Sequence, residues 1–125
     1  MNDKRQFTRY ECKLPMDFDF FEGNPDEINT KTSVPLKGKA FMLDISKGGV
    51  FLVTNARVGV NIPIILHFEI KKKKYDVDGH IIRTGLLKNN PSDIVKRYAN
   101  AKVKGDSYIA VQFDALREDI DFKAL

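Results

Sequence analysis

The sequence predicts an all-β domain, an antiparallel sheet of five or six strands closed into a barrel. Three observations carry this. Residues 12–20 alternate strictly: Cys12, Leu14, Met16, Phe18 and Phe20 are apolar, and the residues between them are mostly polar. A period of two marks a strand with one buried face. Four or five further short segments of strand character follow, mostly joined by tight turns. Helical spacing is confined to two short stretches, so the strands must cover one another, and closure into a barrel removes their open edges.

The elements follow in order. Residues 1–10 are expected to form a flexible arm. In the first strand Pro15 lies on the outward set and has no N–H, which places the strand at an edge or a bulge. Residues 22–38, with Gly23, Asn24, Pro25, Pro35 and Gly38, read as a long loop. Ala40–Ile45 is the second strand, and Ser46-Lys47-Gly48-Gly49 a tight turn. Val50–Val53 is the third strand, continuously apolar and therefore buried on both sides. Ile62–Ile70 is the fourth, with Ile64, Leu66, Phe68 and Ile70 on one face. Lys71–Lys74 turns the chain into the fifth strand, where Tyr75, Val77, Gly79 and Ile81 share a face. Gly79 in mid-strand predicts a bulge or a barrel corner. Asn90-Pro91-Ser92 reads as a turn, and Ser92 is a candidate cap for a short helix in a helical insertion expected near 92–102. Tyr108–Phe113 is the sixth strand. Leu116, Ile120 and Ala124 have helical spacing, so residues 114–125 are expected to form a short helix over a barrel mouth. The whole, residues 1–125, reads as a single domain with its barrel over 11–113.

Composition narrows the function. The chain has 125 residues, 42% hydrophobic and 30% charged, as a soluble one-core domain requires. No apolar run is long enough for a membrane span, and no apolar stretch follows the charges at the N-terminus as in a secretory signal, which makes the cytoplasm the expected location. Cys12 is the sole cysteine, which excludes an internal disulfide and disfavours a cysteine zinc site. It falls on the apolar face and reads as a core residue. His67 and His80 have no third ligand at recognisable spacing, so no metal site is expected. No nucleophile–base set and no Walker loop is present, so the reading is not an enzyme and needs no cofactor. A net charge of +4 favours anionic partners. Lys71–Lys74 reads as a solvated hairpin.

Two short patterns remain. Arg5-Gln6-Phe7-Thr8-Arg9 is an RxxxR ahead of the first strand, and Asp44-Ile45-Ser46-Lys47-Gly48-Gly49 is a DxSxxG at the exit of the second. Taken singly, the first reads equally as a solvated tail and the second as a hairpin turn. Together, in this order and strand context, they resemble the PilZ family. Gly49-Val50-Phe51-Leu52, Val77 to Arg83 and Tyr108 to Phe113 also look like that family's strand signatures, and the resemblance spans roughly residues 4–122. It implies a six-stranded PilZ-like barrel that binds the bacterial second messenger cyclic di-GMP. The motif positions map onto Arg5, Arg9, Asp44, Ser46 and Gly49, with Lys4 and Gly48 adjoining them.

The residue types suit such a ligand. Guanidinium forks match phosphate oxygens and the O6/N7 edge of guanine, and they stack on purines. The Asp44 carboxylate accepts from guanine N1–H and N2–H. Ser46 offers a small hydroxyl, and Gly49 can take positive φ and lets a ligand approach the backbone. Lys4 stands where many members have another arginine, keeping charge but losing the fork. Ala110 stands where glycine is common, and the 86–105 insertion is longer than usual. The expected function is a stand-alone, non-catalytic receptor whose N-terminal arm orders on cyclic di-GMP and so relays the signal to a protein effector, as monomer or dimer. The alternative is an adaptor of the same fold that works without nucleotide. Single-stranded nucleic acid ranks last, since no line of exposed aromatics accompanies the basic residues.

Overall fold

The alternation near the start of the chain builds a strand, as predicted. The structure, a computed structural model, describes residues 7–89 and 105–125. β1 runs Tyr10–Phe20, and its inward set is more deeply buried in its second half: Cys12 and Leu14 are partly buried, Met16, Phe18 and Phe20 buried. β2 (Leu36–Ile45), β3 (Gly49–Thr54), β4 (Pro63–Ile70), β5 (Lys73–Leu86) and β6 (Ser107–Phe113) follow. All pairings are antiparallel and close a barrel in the order β1-β2-β3-β6-β5-β4. The predicted insertion helix near 92–102 lies outside the described residues.

Pairing explains where the strands differ from their predicted extents. β2 begins at Leu36, inside the predicted loop, because Phe20↔Leu36 and Asp19↔Lys37 continue the ladder with β1. Gly38 belongs to that stretch, and a Cβ there would run into the Phe18 ring. β1 pairs with β4 only over Asp17–Phe20, so Pro15 lies where the strand has a partner on one side alone, one residue beyond a bulge between Glu11 and Leu14. The β4–β5 connection is a two-residue turn, with Lys71 at φ 51 and Lys72 at φ 70, the positive values a primed hairpin turn demands. The bulge expected at Gly79 sits farther along β5, between Ile81 and Arg83. Gly79 instead permits close approach: a Cβ there would lie 2.7 Å from the Gln112 carbonyl oxygen.

The interior is filled from all six strands. Phe18, Met42, Leu52, Ile64, Leu66, Ile81 and Ile109 have no exposed surface, each burial contributing about 1.5–3 kcal/mol. A second, smaller cluster of Leu43, Phe51, Val53 and Ala110 lies apart from it, with Tyr108 and Leu87 packed alongside. This accounts for the unbroken apolar run of β3: Val50 and Leu52 serve the interior, Phe51 and Val53 the second cluster. Phe51 stacks on Tyr108 at 5.5 Å.

The tail covers a barrel mouth, but its only helical element is a single 3-10 turn, Phe122–Ala124. Its earlier amides bond to the barrel instead of to one another. Asp114 N–H donates to the Asp78 carbonyl at 3.0 Å and Arg117 N–H to that of Lys47 at 2.9 Å, so no i→i+4 ladder starts there. Ile120 is buried in the core, Phe122 stacks on Tyr10 at 4.8 Å, and Asp121 N–H donates to the Tyr75 hydroxyl at 3.2 Å.

Candidate functional site

Two bulges shape one outer face of the barrel. In β2, Met42 pairs with Leu52 and Asp44 with Phe51, so Leu43 is the additional residue. In β5, Ile81 pairs with Val111 and Arg83 with Ala110, so Ile82 is additional. A bulge turns two successive side chains to the same side. Met42, Ile45 and Ile81 therefore stay in the core, while Asp44 and Arg83 join Phe51 and Ala110 on one cross-strand row: Asp44–Phe51–Ala110–Arg83 over β2, β3, β6 and β5. Gly49 and Gln112, paired to each other, lie two positions farther along β3 and β6. Above these rows is a cleft of about 380 Å³, bounded by Phe7 and Arg9 of the arm, Ile82 and Arg83 of β5, and Leu116 of the tail.

Asp44 is only 2% exposed, yet it lines this cleft. Arg9 Nη1 lies 3.6 Å from its Oδ2. Burial pushes the neighbouring Cys12 thiol up to about 12, and the Asp44 charge adds to the shift. Cys12 contacts the Met42 carbonyl at 3.6 Å and is, as predicted, a packing residue.

The turn after β2 is tied from within and from outside. Ser46 N–H donates to the Gly49 carbonyl at 2.9 Å, and Gly48 N–H to Ser46 Oγ at 3.2 Å. Phe113 N–H caps the Gly48 carbonyl at 2.9 Å, and Arg117 N–H that of Lys47. Ser46 is thus a turn-former as well as a cleft residue. Gly49 does not use the positive φ open to glycine: the only glycine with positive φ among the described residues is Gly23. Gly49 is required because a Cβ there would collide with the Val111 carbonyl oxygen. At Gly48 a Cβ would stand 3.1 Å from the Phe7 ring, so the arm lies close on this glycine.

Of the residues singled out from sequence, Arg9, Asp44, Ser46, Gly48 and Gly49 line this one cleft. Lys4 and Arg5 lie outside the described residues. Ala110 of β6 also lines the cleft. Sequence reasoning passed over Arg83, Gln112, Ile82 and Leu116. The signal for the β5 pair was present: apolar Ile82 directly after Ile81 breaks the alternation, as a bulge does.

The two histidines are engaged elsewhere. His67 on β4 sits between Asp76 (2.6 Å) and Asp19 (3.2 Å), and Lys37 reaches Asp19 at 2.6 Å. The ladder crosses β2, β1, β4 and β5. Partial burial works against the His67 charge, but hydrogen bonds to Asp76 and Asp19 and their charges outweigh it and raise its pKa. Likewise burial opposes ionisation of Asp19, and Lys37 and His67 together lower its pKa. His80 bonds Asp114 at 2.6 Å.

Comparison with known proteins agrees with this architecture. The sequence profile of the PilZ domain matches residues 3–121. The solved PilZ domain with c-di-GMP of YcgR from Escherichia coli superposes with a TM-score of 0.58 at 9% identity, over 98% of this chain and 86% of that one. The Bacillus subtilis inhibitor of motility MotI/DgrA superposes with a TM-score of 0.57 at 15% identity, over 99% of this chain but 48% of that one, so the present chain spans about half its length. At these identities the likeness concerns the fold. No curated protein matches the sequence. With a profile match over nearly its whole length and a closed six-stranded antiparallel barrel, the chain belongs to the PilZ domain family.

Proposed function

We propose that the chain is a non-catalytic receptor that binds cyclic di-GMP in this cleft and relays binding to a protein partner through its N-terminal arm. One observation carries the reading. Arg9 and the distant segment that holds Asp44, Ser46, Gly48 and Gly49 line one cleft, and its carboxylate is buried beneath an arginine. Membership of the PilZ family and the cyclic di-GMP in the YcgR domain support it.

The Arg9–Asp44 pair is the switch. The guanidinium lies against the carboxylate, 3.6 Å from it. Guanine N1–H and N2–H compete for the same carboxylate oxygens, and Arg9, once displaced, pairs with a phosphate as a charge-assisted fork. Arg5, from the same motif, takes the second phosphate. Because Phe7 lies on Gly48, moving Arg9 moves the arm across the turn and alters the surface a partner meets. The ligand shifts the arm by no more than its differential affinity for the two arm positions.

Isothermal titration with cyclic di-GMP tests this. The wild type is expected to bind, and Arg9→Ala to weaken binding about ten- to hundredfold, the worth of a hydrogen-bonded charge contact. Absence of heat with protein at tens of micromolar, or equal binding by Arg9→Ala, refutes the reading.

A further inference from the structure

Four arginines fall among the described residues. Three are matched to carboxylates: Arg9 to Asp44 (3.6 Å), Arg57 to Asp106 (2.8 Å) and Arg117 to Asp119 (2.7 Å). Arg83 differs. Among the described residues it has no carboxylate partner, it is exposed, and it lines the cleft. It also stands at the opposite end of the Asp44–Phe51–Ala110–Arg83 row.

We propose that Arg83 reads the Hoogsteen edge of a guanine at the end of the cleft away from Asp44, and thereby selects guanine over adenine there. The inference rests on the cyclic di-GMP reading of the site and adds a second base-reading position to it. Three strand spacings separate Asp44 from Arg83, a path of about 14 Å along the sheet. One base cannot reach both ends, but the two bases of a cyclic dinucleotide can. The floor between is apolar, Phe51 and Ala110, and Ile82 stands beside Arg83 with 53% of its surface exposed. Such a surface suits the flat face of a base better than a phosphate, and the arm already supplies Arg9 for phosphate. Guanine presents O6 and N7 as two acceptors, matching a guanidinium fork, whereas adenine presents N7 and an N6 donor that the fork repels. At the other end, Asp44 accepts from the Watson–Crick edge of the first guanine.

The hybrid ligand cyclic GMP–AMP isolates the claim, because its guanine satisfies Asp44 and its adenine is left for Arg83. The wild type, Arg83→Ala and Arg83→Lys are titrated with cyclic di-GMP and with cyclic GMP–AMP, with circular dichroism to confirm the fold. The wild type is expected to prefer cyclic di-GMP about ten- to hundredfold, the discrimination of one good bidentate contact. Arg83→Ala closes most of that gap by weakening cyclic di-GMP alone. Arg83→Lys, which keeps charge and donors but loses the planar fork, restores the gap only in part. Discrimination that survives Arg83→Ala, equal weakening of both ligands, or a wild type that binds both equally overturns the role of Arg83 alone. A wild type that binds neither ligand overturns the cyclic di-GMP reading and this inference with it.

Discussion

Gly49→Ala puts the packing beneath the cleft to a direct test. Gly49 pairs with Gln112, and a Cβ at Gly49 would overlap the carbonyl oxygen of Val111. Backbone cannot swing aside as a side-chain tip can, so β3 and β6 must part. β6 has little room to retreat, because on its other side a Cβ at Gly79 would already lie 2.7 Å from the Gln112 carbonyl and the Val111 side chain. The substitution therefore falls at the upper end of overpacking costs, about 3 kcal/mol. For a domain of this size that lowers Tm by roughly 10 °C. Gly48→Ala is the control: the atoms nearest its Cβ belong to the Phe7 ring and the Leu116 side chain, both able to shift, and it is expected to cost under about 1 kcal/mol. Thermal and urea unfolding followed by circular dichroism measure both. A Gly49→Ala protein as stable as Gly48→Ala would refute the close-approach account of Gly49.

Other predictions concern the rest of the barrel. The raised pKa of His67 means that its stabilising contribution is fully present below its unfolded value of about 6.5 and fades as pH rises through the higher folded value; Asp19, lowered, contributes above its unfolded value of about 3.9 and loses that contribution as pH falls through the folded one. Because His67 is more than a third exposed, the effect is under about 1 kcal/mol: urea unfolding from pH 5 to 9 should show a decline that His67→Gln flattens, and parallel profiles would contradict the ladder. Lys72→Gly relieves positive φ at the β4–β5 turn and is expected to raise stability by about 0.5 kcal/mol net of the greater freedom of unfolded glycine; unchanged or lower stability would count against that turn geometry. With its thiol pushed up to about 12, Cys12 should alkylate at pH 8 about a thousandfold more slowly in the folded than in the unfolded protein; comparable rates would show that it is not packed as described.

Much of the barrel was legible because alternation reports burial directly. β1 could be read from Met16, Phe18 and Phe20, and the double burial of β3 from its unbroken apolar run. What alternation cannot show is register. Nothing in Met42-Leu43-Asp44 announces that Leu43 is an additional residue, yet that bulge is what lets a carboxylate follow a core strand into an outer cleft. The early start of β2 was hidden for a related reason: Lys37–Lys39 are held by the ladder to β1 and not by burial. Gly49 and Gly79 were marked as special, but for turn and bulge conformations, whereas both are close contacts between strands distant in sequence. The same blindness concealed Arg83, which shares a row with Asp44 only once β6 lies between β3 and β5. The C-terminal spacing of Leu116, Ile120 and Ala124 was read as a helix; the tail covers the mouth with Ile120 and Phe122, while Leu116 faces the cleft.

The central claim is that cyclic di-GMP occupies the cleft between the arm and β5, and amide chemical-shift mapping during a cyclic di-GMP titration tests it most directly. Saturable shifts centred on Arg9, Asp44, Gly48, Gly49, Arg83 and Gln112 are the predicted result. No saturable shifts, or shifts centred on the Lys37–Asp19–His67 face, would contradict it.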